Sequence, residues 1–373
     1  MTWETKAAHH LARARWKMAK AASVVALGRT VGHLPETFVR SLVEVMTHKT
    51  IRQHVDEVSL LTGAHVEHFA FDPQLGPEYR RSKAFDDRFL YRLTDVCVSP
   101  ASGLVWLPGG RVLGESYGSL SRVLGWGAVV EETLLPCTKR IRGPIVALPD
   151  TGYFHWLLEV LPAAIHCLGV EPDAALLVSS RPAQYVEEVL TLLAPRGGVI
   201  RSSGPVAVDH MLLAAIDPFS GFVPAVDIAI LRERFLPLVP RGQEWGNSIY
   251  VSRRGSTRSP KNEARVETFF ADLGFRVLVA EELSFREQVD QFRSASFIAG
   301  VHGAGLANQV WSDPLRGVVE MLSPSHFNDC FARLAVSRGA WYLPSLCQQG
   351  GDGDELVQLG EVASGVRDLM QQQ

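Results

Sequence analysis

The chain has 373 residues, a formal charge of −3 and a pI near 6.5, so no global basic field points to nucleic acid. Apolar residues make up 46%, which fits a globular class, and the length suits two domains of roughly 100–200 residues each. Five scattered cysteines without a CxxC argue against a zinc site or a disulfide framework and for a reducing compartment.

The first 55 residues lean basic, with Lys6, Arg13, Arg15, Lys17, Lys20 and Arg29 interleaved with Leu11, Trp16, Met18, Val24 and Leu27. This mixture suits either peripheral contact with an anionic membrane or a helix packed on the protein with a solvated basic face. No signal-peptide h-region, no Asn-x-Ser/Thr acceptor and no unbroken apolar run long enough to span a bilayer are apparent. A cytoplasmic location is the expectation.

Residues 60–135 carry short apolar runs separated by Pro100-Ala-Ser-Gly103 and Pro108-Gly-Gly110, which is the turn chemistry of a β-meander. From residue 145 the period lengthens. Strands are expected near 146–148, 175–179 and 206–215, and helices over 153–168, 183–193 and 227–236. Pro237, Pro240 and Gly242 then suggest an interdomain hinge. This divides the chain into a basic helical segment (1–55), an acceptor-side α/β domain (56–240), a ligand-binding domain (241–345) and a tail ending in a helix (346–373).

The stretch 249–323 reads as strand, helix, strand, Gly-rich turn, helix and strand, the pattern of a parallel sheet. Ligands of such sheets sit at the carboxyl ends of the strands. Arg253 and Arg254 fall there and either offer donor forks to phosphate or stand as surface arginines in a turn, while Arg258 follows in the same loop. His302-Gly303-Ala304-Gly305 ends a buried strand and opens a helix, so small residues and free amide groups favour an anion. Glu320 ends the next strand, where a carboxylate suits ribose hydroxyls or simple solvation. In the earlier half, His155 and Glu159 are four apart on a helix capped by Asp150 or Thr151, a pairing that suits either proton abstraction or structural closure.

Two motifs are set aside. Gly114-Glu-Ser-Tyr-Gly118 matches a nucleophile elbow, but it precedes the HGAG turn and lies in the meander. Asp352-Gly-Asp354 sits in a Gly-rich loop with no strong strand before it.

Taken together, GYFHWLLEVLP (from Gly152), YVSRRGSTRSPKNEARV (from Tyr250), LSFREQVDQFRSASFIAGVHGAGLANQVW (from Leu283) and GVVEML (from Gly317) resemble glycosyltransferase family 61. The resemblance spans roughly residues 96–324 and leaves the first 55 residues and the tail uncovered. It implies a GT-B-like α/β fold, with two Rossmann-like domains facing a cleft. It further implies an inverting transfer from a nucleotide-sugar, UDP-sugar being favoured, to a hydroxyl of a glycan or lipid-linked acceptor. No bound metal or other cofactor is implied. It sets Arg253 and the Gly303–Gly305 turn at the donor diphosphate, with His302, Asn308 and Glu320 around the donor. Glu159 stands where the family pattern has Asp, and Glu159 or His155 is the expected base. Without a signal anchor, the chain looks more like a bacterial, cytoplasmic member. A nucleotide-sugar epimerase and a non-catalytic nucleotide-binding subunit are the competing readings.

Overall fold

The computed structural model describes residues 38–39, 49–108, 111–113, 115–116, 135–137, 139–217, 221–242, 247–324, 327–349 and 355–371. Most of the basic N-terminal segment and the whole Asp352–Asp354 motif lie outside them. So do Gly114, Tyr117 and Gly118 of the elbow motif.

The strands of the first half are β1 (Phe38–Val39), β2 (Val55–Thr62), β3 (His65–His68), β4 (Ser82–Phe85), β5 (Arg88–Val98), β6 (Val105–Leu107), β7 (Arg111–Leu113), β8 (Arg140–Ala147), β9 (Ala175–Ser179), β10 (Val199–Ser202) and β11 (Val206–Ala214). Nine of them form one sheet in the order β1-β7-β6-β5-β11-β8-β9-β10, with β2 also on β5. The sheet is mixed. β6 pairs antiparallel with β5 and β7, whereas β11, β8, β9 and β10 pair parallel. Only that second part has the parallel character expected of a Rossmann-like domain. β5 runs unbroken over 11 residues, with Asp95 at a φ of 50° inside it.

Ser116 of the elbow motif is buried and its hydroxyl is already engaged. It donates to the Leu113 carbonyl and accepts from the Val105 amide. A serine held this way has no path to a substrate.

The second half builds β12 (Ser248–Val251), β13 (Arg276–Leu278), β14 (Phe297–Val301), β15 (Gly317–Leu322) and β16 (Trp341–Leu346) into a five-stranded sheet, β13-β12-β14-β15-β16. Every pairing is parallel. β14 and β15 are buried at every position, as strands covered on both faces must be, and this explains their continuous apolar runs. In chain order the strands run second, first, third, fourth, fifth. The strand order therefore reverses between β12 and β14, and the crevice outside their carboxyl ends is where doubly wound sheets bind ligands.

Helices α1 (Tyr153–Val170), α2 (Gln184–Leu193), α3 (Ala225–Phe235), α4 (Glu263–Asp272), α5 (Phe285–Arg293), α6 (Cys330–Ser337) and α7 (Leu359–Gln371) cover the sheets. α1 is long and apolar enough to cross a membrane by length and composition, but most of it is buried inside the fold. α5 starts with a capping box: Ser284 accepts from the Glu287 amide while Glu287 accepts from the Ser284 amide.

A single apolar cluster joins the two sheets. Trp156 of α1, Phe235 of α3, Phe285 of α5 and Trp311 meet edge to face, with ring centroids 5.3–6.4 Å apart. The linker over residues 237–242 is held down as well. Arg293 donates to the carbonyls of Leu236 and Val239, Arg286 to that of Leu238, and the Gly242 amide donates to Asp290 at 2.8 Å. Val239 is buried. The expected hinge is thus a strap tied to α5.

Candidate active site

α1 positions the first constellation. It begins as an α-turn over Tyr153–His155, widens to a π-turn over Trp156–Val160, and returns to α-geometry over Leu161–Val170. Pro162 follows the widened turn and has no N–H to continue regular bonding. Single π-turns inside helices recur at functional sites. This one carries Glu159. His155 Nδ1 lies 3.2 Å from Glu159 Oε2, and the two differ in access: the His155 side chain is 38% exposed, that of Glu159 5%. Glu159 Oε1 also accepts the Gly221 amide at 2.8 Å.

Gly221 is held on its other side by Arg333 of α6, which donates to its carbonyl at 3.0 Å. With φ at 92°, position 221 favours glycine. Arg333 in turn pairs with Asp329 at 3.1 Å and lies over the Phe222 ring, 3.7 Å from its centroid. Burial lowers the Arg333 pKa, opposed by Asp329.

The second constellation gathers at the switch point. Arg253 leaves β12, and its path is fixed by Glu263 at the start of α4. Glu263 Oε1 accepts from the Arg253 amide at 2.7 Å, the Ser252 hydroxyl at 2.9 Å and the Tyr250 hydroxyl at 3.0 Å. The Arg253 guanidinium donates to the His302 carbonyl and to Ser256 Oγ. It lies so close to Gly303 that a Cβ there would fall 2.5 Å from Nη1. Gly303 is extended, at φ −179°, so it is this close approach to the guanidinium, not backbone strain, that a side chain there would disturb. Ala304 opens a 3-10 helix, Ala304–Trp311, in place of the expected α-helix, and Ala304 and Gly305 remain partly exposed.

His302, Glu320 and Tyr342 form a buried chain. His302 Nδ1 sits 2.5 Å from Glu320 Oε1, and the Tyr342 hydroxyl donates to Glu320 Oε2 at 2.6 Å. Burial, reinforced by the Glu320 charge, raises the Tyr342 pKa well above its ordinary value. Burial also pushes Tyr79, next in the cluster, up to about 12. Glu320 is fully shielded, with both oxygens engaged, so the structure corrects the expectation of a strand-end carboxylate open to ribose.

Asn308 is corrected in the same way. It is fully buried and accepts from the Tyr153 hydroxyl at 2.8 Å and Trp311 Nε1 at 3.1 Å. Its amide group donates to Gln288 Oε1 at 2.7 Å and to the Gly305 carbonyl at 3.2 Å. With no polar atom left for a donor, it braces the turn from behind. Arg254 and Arg258 are both exposed. Arg254 reaches Glu267 at 3.5 Å, while Arg258 has no partner among the described residues.

The two constellations meet through Phe331 of α6. The Phe331 ring is 5.1 Å from His302 and 5.3 Å from Phe154, which is 5.1 Å from its neighbour His155. Sequence reasoning missed Phe331, Arg333, Tyr342 and Gly221. Of these, only Tyr342 had a signal, as a polar aromatic in an apolar run beside β15. Among the described residues, no group of three or more His, Cys, Asp or Glu is placed to hold a metal ion.

None of the curated proteins compared with the chain matches it. Residues 153–319 match the model of a family described as Glycosyltransferase 61. That segment runs from the first residue of α1 to the residue before Glu320. It therefore takes in His155, Glu159, Arg253, the His302–Gly305 turn and Asn308. Residues 153–319, a little under half of the chain, are thus similar to glycosyltransferase family 61.

Proposed function

We propose that the protein transfers a sugar from a nucleotide-sugar, with UDP-sugar the favoured donor, to a hydroxyl of a glycan or lipid-linked acceptor, with inversion and without a divalent ion. The observation that carries this reading is the meeting of Arg253 and the Gly303–Gly305 turn at the switch point, joined through Phe331 to the His155–Glu159 pair. The arginine fork and the turn amides supply positive potential where the diphosphate leaves, electrostatically serving as a bound cation would.

In this reading the acceptor proton passes to the base as the acceptor oxygen attacks the anomeric carbon. The bond from that carbon to the diphosphate breaks on the opposite face. His155 is the exposed member of the pair and Glu159 the buried one, so His155 is the base that reaches the acceptor. Glu159 accepts a hydrogen bond from its Nδ1–H and fixes the tautomer, the logic of a carboxylate–histidine dyad. Glu320 does the same for His302 near the donor. The reading takes the donor to lie on residues 241–345 and the acceptor side on 56–240, as in a GT-B-like cleft. The basic residues of the first 55 positions support work at the cytoplasmic face of an anionic membrane.

Thermal-shift measurement against a panel of nucleotide-sugars, followed by turnover with and without EDTA, tests the reading. One donor is expected to raise Tm, since a ligand of the folded state stabilises it. Turnover is expected to survive EDTA. No stabilisation by any nucleotide-sugar removes the donor assignment. Activity lost to EDTA and restored by Mn²⁺ removes the metal-free mechanism.

A further inference from the structure

A cleft of about 200 Å³ opens beside the switch point. One wall is Ala304 and Gly305; another is Ala280, Glu281 and Leu283, which follow β13; the third is Tyr153, Tyr185 and Glu188 from α1 and α2. The turn and the β13 loop abut directly, because a Cβ on Gly305 would lie 3.4 Å from the Ala280 Cβ. The cleft therefore borders the turn that follows Gly303, the residue against which Arg253 packs.

Its chemistry differs from theirs. The lining is mostly apolar, and its charged residues are acidic. Glu188 is already engaged, accepting from the Phe285 amide and from Gln184 Nε2. Glu281 is exposed and has no hydrogen-bond or ion-pair partner among the described residues. A phosphate is repelled by such a rim. Vicinal hydroxyls are donors that suit an unpaired carboxylate, and a flat heterocycle suits a wall of Tyr153, Tyr185 and Leu283. In doubly wound sheets an acidic residue beyond the second strand takes the ribose of a bound nucleotide, and β13 is the second strand here.

We propose that this cleft is the nucleoside subsite, with Glu281 accepting from the ribose hydroxyls and the Tyr153–Tyr185–Leu283 wall receiving the base. The proposal rests on the nucleotide-sugar reading above. It assigns to Glu281 the ribose contact that the buried Glu320 cannot make.

Calorimetry with UDP, GDP, CDP and ADP, each beside its 2′-deoxy analogue, and with inorganic pyrophosphate tests it. The wild-type protein is expected to bind its preferred ribonucleotide about tenfold more tightly than the deoxy form, the scale of one hydrogen bond to a charged group. Glu281→Ala, at an exposed and unpaired position, is expected to fold normally and to leave pyrophosphate binding unchanged. It is also expected to weaken the ribonucleotide about tenfold and to erase the preference for ribose. A preference that persists in Glu281→Ala, or is absent from the wild type, overturns the proposal. The two readings fail differently. If none of the four diphosphates binds the wild type, the nucleotide-sugar reading falls with this one. If binding needs Arg253 and ignores Glu281, only the subsite assignment falls.

Discussion

The Tyr153 hydroxyl donates to the Asn308 amide oxygen across 2.8 Å, and this bond ties the first turn of the His155 helix to the brace behind the His302–Gly305 turn. Asn308 is fully buried and also satisfies Trp311 and Gln288. Asn308→Ala is expected to leave four polar groups, on Tyr153, Trp311, Gln288 and Gly305, short of a partner and to cost about 3 kcal/mol of stability. Chemical denaturation measures the loss. Diphosphate affinity below the melting transition is expected to hold, because no Asn308 atom is open to ligand. An equal loss of affinity in folded protein would return Asn308 to the donor site.

His155 and Glu159 separate by kinetics. His155→Ala is expected to lower turnover by about 10²–10⁴-fold with donor affinity unchanged, the range for a lost general base. Glu159→Gln cannot accept from His155 and the Gly221 amide as a carboxylate does, so a comparable loss is expected, with a shifted pH–rate profile. If Glu159→Gln abolishes turnover and His155→Ala keeps it, the carboxylate is the base. If both keep it, the π-turn is structural.

Gly303 and Arg253 should behave as one unit. Arg253→Ala removes a charge-assisted contact worth about 1.5–3 kcal/mol at a diphosphate. Gly303→Ala sets a Cβ 2.5 Å from Arg253 Nη1, and the guanidinium, at the far end of a flexible chain, must swing aside. Calorimetry with UDP is expected to show weakened binding in both variants and little further loss in the double mutant. Additive losses would mean that Arg253 and the turn act separately.

Stability is expected to fall above about pH 10. Burial pushes the Tyr79 and Tyr185 phenols up from 10.0 to about 12. The unfolded chain releases those protons near 10 while the folded chain holds them to about 12. Raising pH across that window therefore favours unfolding, and below it the contribution is fully present. Denaturant midpoints from pH 8 to 12, read beside tyrosinate absorbance, check this. A flat midpoint, or phenols titrating near 10 in folded protein, would show them to be open to water.

Much of the second half was legible because parallel strands buried on both faces read as unbroken apolar runs, as in residues 297–301 and 317–322. Arg253 and the glycine turn followed from their place at strand ends. The roles of Asn308 and Glu320 were misread for one reason: a sequence shows a polar residue but not whether it faces solvent. Phe331, Arg333 and Gly221 left no pattern at all. Each matters through a partner between 29 and 112 positions away, and such pairings arise only when the chain is packed.

The aromatic cluster between the sheets has a kinetic consequence. A clamshell enzyme admits substrate by swinging two rigid lobes apart. Parting these lobes would expose Trp156, Phe235, Phe285 and Trp311 to water at once, a cost of several kcal/mol. If the lobes stay together, entry and product release take a route that leaves this cluster packed and keeps the Gly221 backbone bonded to Glu159 and Arg333. Turnover is then expected to show a temperature dependence without the heat-capacity signature of exposing that cluster.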